Sequence, residues 1–516
     1  MSLPPFGSPD GSHLPESEMV ALYDEALVQL VKSPRSGVIV ARSGAGKTCF
    51  LRRAQIEMSR REGGASALDI QTSTPASADV TGIDSRFVRS QQPVIWAQIW
   101  RAAIVRSFAT EVMCAAEKYG LTEFDELALR DNFTGLLRKA EECYVPKTVW
   151  SQVHAIVEKT RSGAELRAYL EQDTWADLER HLIAILERSG SVALLVDLID
   201  EHVSRFPRAW TSCQHGLLAA VDGMQASELG RWLHVIVTTR EHHYIQLVQA
   251  GTRSALREHV LVLEANENDA RDFCVQKVGQ IARGAAAGGM SGSGAMATLL
   301  GFSEIDNPDR RCIEKALDYL IRHTRSLPRD VVVLGNDLAR GRRPDGPPQA
   351  PLEKAWVRKV VGGCARLYGG EQLDACVRQL AITLSQEDAE SEHVISTTST
   401  PGGTEHPRLR LRLERFIESI GCERFDRAEL EDARAAGTEE FGLDVLDVLW
   451  QNSLLGHVPA SGDPARPLFF SLLNSDTTVP DSPGYVFHPC LIDTAGLDHG
   501  GPGSKPIVPV IERDGR

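Results

Sequence analysis

A chain of 516 residues with 42% hydrophobic and 24% charged side chains has a globular composition and is too long for one core, so two to four domains are expected. Its formal net charge of −14 argues against a broad electrostatic hold on nucleic acid, which needs clustered Lys and Arg. No apolar run approaches the ~20 residues of a membrane span, residues 1–16 lack the basic and apolar regions of a signal peptide, and the ten cysteines form no C-x-x-C pair; a cytoplasmic protein without disulfide framework or zinc knuckle is expected.

After a tail rich in Pro, Gly and Ser over residues 1–16, the spacing of Val20, Tyr23, Ala26, Leu27 and Leu30 predicts a helix over 16–31. Val38 to Val40 then form an apolar strand that runs into a glycine-rich turn ending in Gly46-Lys47-Thr48, and Phe50, Leu51, Ala54 and Met58 follow at helical spacing. Strand, turn and helix in that order are the pattern of a phosphate-binding loop. Residues Arg42, Ser43, Gly44, Ala45 and Gly46 wrap the β- and γ-phosphates with backbone N–H groups, Lys47 adds a mobile positive charge, and the Thr48 hydroxyl holds Mg²⁺. The helix behind places its positive dipole end under the anion. Cys49 stands beside the nucleotide, either as a reactive thiol or as a packed helix residue. Ala41 occupies the position of the first Gly in the usual spacing.

Alternation over 67–71 predicts a second strand, and Pro93 opens a helix carrying Trp96, Trp100, Ala103 and Ile104. Residues 123–188 read as several helices, long for a crossover and therefore an insertion between core strands. The last starts at Thr174 with Asp177 three residues on, a variant capping box, and buries Trp175, Leu178, Leu182 and Ile185. Next, residues 192–201 form a continuous apolar run ending in carboxylates, as a parallel strand covered on both faces requires. Asp197 leaves its carboxyl end, on the edge where ligands collect in open α/β sheets. There it suits a Mg²⁺-water ligand, with Asp200 or Glu201 polarising the attacking water. A solvated acidic strand end is the alternative, disfavoured by the phosphate loop upstream.

A further strand over 233–237 ends in Thr238-Thr239-Arg240, where Arg240 is either a γ-phosphate sensor or a surface cation. Residues 259–263 supply the last strand, and Asn266 caps a helix with Ala270, Phe273 and Val278. The Gly/Ala/Ser run 283–295 is expected to be flexible, with helices resuming around 309 that turn Cys312, Ala316, Leu317 and Leu320 inward. Ser326-Leu327-Pro328-Arg329-Asp330 begins another helix, and Arg329 reaches the phosphates from a helical lid or is an ordinary surface Arg. Linkers over 340–351 and 387–407 flank two helices, 352–367 and 372–384. Helices over 408–420, 426–435 and 442–454, then short strands at 468–473 and 485–487 joined as a hairpin, suggest a winged helix. It has no Lys or Arg from Ala435 to Ala465 and carries Asp444 and Asp447, which favours a protein-contacting, intramolecular winged helix over a DNA reader. The expected division is a tail (1–16), an α/β P-loop NTPase core with a parallel sheet (17–265) and a helical insertion (100–190), a helical lid (266–340), linkers with a helical segment (341–406), a winged-helix-like domain (407–492) and a mobile tail (493–516).

Phosphate loop, D-x-x-D-E strand, T-T-R strand end, lid with P-R-D and winged helix stand here in an order that resembles the bacterial STAND-type P-loop ATPases, the AAA+-related group that includes NACHT and KAP proteins. Residues 194–201 are similar to the L-L-x-D-G-L-D-E of NACHT proteins, Thr239-Arg240 sits at the family's sensor Arg, and Ser326 to Asp330 looks like its lid sensor. Leu198 departs from the family's small residue, and no repeat-built sensor or effector domain is attached. The resemblance implies a switch that binds and slowly hydrolyses ATP with Mg²⁺, couples this to homo-oligomerisation, and acts through a protein partner in signalling or defence. A DNA-acting AAA+ loader and a small-molecule kinase on the same loop are the alternatives. ATP and GTP are not distinguished, since no guanine-reading N-K-x-D stands out.

Overall fold

The computed structural model describes residues 6–9, 16, 19, 22–32, 34–61, 66–73, 77–88, 91–136, 148–198, 207–249, 260–281, 291–341, 351–390, 405–473, 476–497 and 504–511. The chain divides into two units, a sheet unit of Tyr23–Ala41 and Lys47–Leu263, and a second unit of Met1–Leu22, Arg42–Gly46 and Glu264–Arg516.

In the sheet unit β1 (Gly37–Ala41), β2 (Ser66–Ala67), β3 (Gln71–Ser73), β4 (Val192–Leu198), β5 (Leu233–Arg240) and β6 (Val260–Leu263) form one sheet in the order β2-β4-β5-β1-β6, with β3 also on β4. Every pairing is parallel. The unbroken apolar run of β4 explains this, because Val192 to Val196 are all buried and leave no face for water. The strand expected over 67–71 is two short ones, β2 and β3, interrupted at Leu68–Ile70. The strand expected to stop at Val237 continues through Arg240. A helix was expected over 16–31; the described one is Asp24–Lys32, entered through Tyr23 at φ 60° and tied down by Asp24 to Arg53 at 2.6 Å.

Between β3 and β4 the described residues hold six helices, Ser77–Asp84, Gln92–Cys114, Glu123–Leu136, Val149–Lys159, Gly163–Leu170 and Thr174–Ser189. Their core is aromatic: Trp150 packs on Trp96 and Trp100 with ring centroids 6.5 and 5.4 Å apart. The capping box at Thr174 is not formed. Asp173 holds the cap position without a side-chain bond, while Asp177 pairs with Arg180, and Trp175 is only half-buried, its indole N–H bonded to the Tyr169 carbonyl.

In the second unit Asn266 caps Glu267–Ile281 as expected, its Oδ1 accepting from the N–H of Asn268 and Asp269 at 2.9 and 3.0 Å. The run 283–295 is helical in its described part, because Ser291 caps Gly292–Leu300. The helix expected around 309 is an antiparallel hairpin, β7 (Glu304–Asn307) and β8 (Cys312–Lys315), so Cys312 lies half-buried on a strand. Arg311 turns that corner at φ 51°, and helix begins only at Ala316–Arg322.

Residues 352–384 do not form two helices but belong to one, Lys354–Glu390. Gly369 serves close packing there instead of breaking the helix: a Cβ on it would stand 2.3 Å from Thr494 Oγ1 and 2.5 Å from the Cys490 carbonyl. Helices Glu405–Ile420, Arg427–Phe441 and Val445–Gln451 follow, with a four-stranded antiparallel sheet in the order β11-β10-β12-β9, comprising β9 (Arg424–Asp426), β10 (Leu455–Val458), β11 (Leu468–Phe469) and β12 (Gly484–Phe487). The expected hairpin partners β11 and β12 are therefore not paired, since β10 lies between them and bonds to both.

Neither end is loose where described. Phe6 is buried and donates its N–H to Asn336 Oδ1 at 2.8 Å. Residues Pro489–Ala495 are helical, Ile507 is buried, and Val510 bridges Leu468. Among the described residues no helix is long and apolar enough to cross a membrane.

Candidate functional site

Register in the sheet unit decides which strand ends share a level. β1 pairs with β5 from Gly37↔Ile236 to Ala41↔Arg240, and β4 with β5 up to Val196↔Val237. Asp197 therefore follows the last β4–β5 pair at the height of Thr238. The Asp197 carboxylate is 4% exposed and accepts two hydroxyl hydrogen bonds, Thr238 at 2.7 Å on Oδ1 and Thr48 at 2.5 Å on Oδ2. Thr48 is the second residue of the helix Lys47–Arg60, so the helix N-terminus stands directly beside the carboxyl end of β4. Lys47 Nζ folds back to donate to the Ala41 carbonyl at 3.1 Å. Arg240 is half-buried at the end of β5, level with Ala41, and Glu241–Gln249 turns away as helix immediately after it.

Lys47, Thr48 and Asp197 are thus brought together, with Arg240 on the same sheet edge. Ala41 is not among the residues of positive φ, which is why an Ala suffices where the usual spacing has Gly. Asp200 and Glu201 lie outside the described residues. Cys49 lies half-buried on the helix, directly after Thr48.

In the second unit the turn itself, Arg42–Gly46, takes shape from its glycines. Gly44 at φ 89° and Gly46 at φ 93° occupy the left-handed region that L side chains rarely adopt, and Ala45 N–H closes onto the Arg42 carbonyl at 3.2 Å. Arg329 covers this turn. Its backbone N–H donates to the Gly44 carbonyl and its Nη2 to Ser43 Oγ, both at 3.2 Å, so Arg329 meets the glycine turn. Arg42 Nη2 donates to the Phe470 carbonyl at 2.9 Å.

Two contributors escaped the sequence reading. Thr238, the second donor to Asp197, was visible only as a hydroxyl in an apolar strand. Gln214 is buried and accepts from Thr239 at 3.1 Å, a partner 25 positions away. On the same helix as Gln214, His215 is pushed down to about 4 by burial and by the neighbouring His243.

The chemistry on offer is a helix N-terminus, a lysine, a threonine hydroxyl and a buried carboxylate. No group of three or more metal-ligating side chains occurs among the described residues. Hard oxygens from Thr48 and Asp197 fit Mg²⁺ all the same, because that ion is ordinarily held by one or two protein oxygens with phosphate and water completing its shell. The fold is α/β with a parallel sheet and fits a P-loop-like arrangement. Compared with models of known protein families the chain matches none, and no curated protein is similar to it.

Proposed function

We propose that the protein binds ATP at Ser43–Thr48, hydrolyses it slowly with Mg²⁺, and works as a STAND-like molecular switch on a protein partner. The observation that carries this reading is the hydrogen bond from Thr48 to Asp197, two residues 149 positions apart that the motif pair requires to meet. Lys47 neutralises phosphate charge. Thr48 and Asp197 hold the metal, which when bound draws charge off the phosphate oxygens. Asp200 or Glu201 orients water, while Arg240 and Arg329 answer to the γ-phosphate. In this reading residues 266–340 are the helical lid, residues 407–492 are a winged-helix domain that makes an intramolecular protein contact, and ATP binding is linked to homo-oligomerisation.

The test uses purified full-length chain. Lys47→Ala should abolish ATP binding, while Asp197→Asn should retain binding and lower phosphate release by about 100-fold, the loss of ~2.7 kcal/mol of transition-state stabilisation. Equal hydrolysis by wild type and Lys47→Ala would refute the proposal.

A further inference from the structure

Within the second unit a partly buried ring of hydrogen bonds starts and ends at the glycine turn. Arg329 N–H on the Gly44 carbonyl is one contact, and Arg42 Nη2 on the Phe470 carbonyl is the other. Asp330, next to Arg329 and fully buried, accepts a two-pronged pair from Arg325, Nε to Oδ2 at 2.8 Å and Nη2 to Oδ1 at 2.7 Å, and the Arg325 backbone N–H besides at 3.1 Å. Those bonds close a corner in which Ser326 stands at φ 57°, a conformation that persists in an L residue only when its surroundings impose it. The guanidinium has a third prong: Nη1 donates to Gln372 Oε1 at 3.1 Å, and Gln372 Nε2 passes on to the Asn452 carbonyl at 2.8 Å. Beside it Ser453, at φ 53°, donates its Oγ–H to the same Phe470 carbonyl that Arg42 holds, at 3.2 Å. The ring is complete.

We propose that Arg325 is a positioning residue: through Asp330 it sets how Arg329 stands over Gly44, and through Gln372 it makes that stand depend on the Asn452–Ser453 corner beside the four-stranded sheet. An arginine is required, since a lysine has no planar fork to serve Asp330 and Gln372 together. The inference rests on the phosphate reading of the turn for its consequence in nucleotide binding, but not for the mechanical link.

The experiment is a double-mutant cycle on the full chain with a fluorescent ATP analogue and Mg²⁺. Arg325→Lys and Gln372→Met should each weaken binding about tenfold, and neither should weaken it further in an Arg329→Ala background. Losses that add in full would overturn the proposal. Gln372→Met guards against a misfolded Arg325 variant, because the hydrogen bonds of Gln372 go to Arg325 and Asn452. A second arm needs no nucleotide: hydrogen exchange of amides 42–47 should quicken in Gln372→Met, and unchanged protection there overturns the link. A wild type that binds no analogue, with exchange still quickened in Gln372→Met, would sink the ATP reading and leave the positioning role standing.

Discussion

Asp197 shows how much a single carboxylate can organise. Both of its oxygens are taken by hydroxyls, one from a strand neighbour and one from the helix behind the glycine turn, so the residue is oriented before any ligand arrives. His488 is organised differently: it is buried, its Nδ1 accepts from the Cys490 N–H at 3.2 Å, and burial, with the charges of Arg325 and Arg42, pushes it down to about 3. His215, held near 4, behaves alike. An unfolded histidine titrates near 6.5, so below that pH the unfolded chain takes up protons that the folded chain refuses. The stability these two neutral rings contribute is complete above pH ~6.5 and is lost as pH falls toward ~4 and ~3, a loss on the order of a few kcal/mol for each ring. Urea unfolding from pH 7 to 4 should show that decline. His488→Asn keeps a helix-capping side chain and should make that decline shallower by about half, and an unchanged slope in the variant would count against the assignment.

The helix Lys354–Glu390 carries two kinds of glycine that composition cannot tell apart. Gly363 has open space where a Cβ would go, whereas Gly369 is pressed against Thr494 and the Cys490 carbonyl. Gly363→Ala should therefore stabilise by about 0.5–1 kcal/mol through helix propensity. Gly369→Ala should destabilise by about 1–3 kcal/mol through overpacking against backbone that cannot yield. Opposite shifts of the denaturant midpoint check both; shifts of one sign would mean that helix propensity alone governs this element. The two helices expected over 352–367 and 372–384 are one helix that runs on through Gly369 and Gly370. A glycine pair lowers helix propensity wherever it stands, but the packing of Pro489–Ala495 against this stretch needs a residue without a side chain.

Over the full 516 residues the proposed function has a thermodynamic signature, because a ligand that binds only the folded chain adds to its stability by mass action. ATP with Mg²⁺ at 100 times its Kd should add about 2.7 kcal/mol, read as a rise in melting temperature that Lys47→Ala loses. A shift that survives in Lys47→Ala would place the nucleotide elsewhere. The local elements were legible along the chain: the apolar run of β4, the strand, glycine turn and helix from Gly37 to Arg60, the Asn266 cap and the Pro328 helix start all follow from neighbours within a few residues. Periodicity reports that a face is buried, not what buries it. The meeting of Thr48 with Asp197 and Thr238, the grip of Arg329 on Gly44, the strand β10 between β11 and β12, and the ring through Arg325, Gln372 and Asn452 join residues far apart in the chain, and their partners are chosen by strand register and helix packing. Local pattern thus dictated which segments are helix, strand or turn, and long-range packing dictated which side chains meet, because a side chain's reach of a few ångströms is set by the folded backbone and not by distance along the sequence.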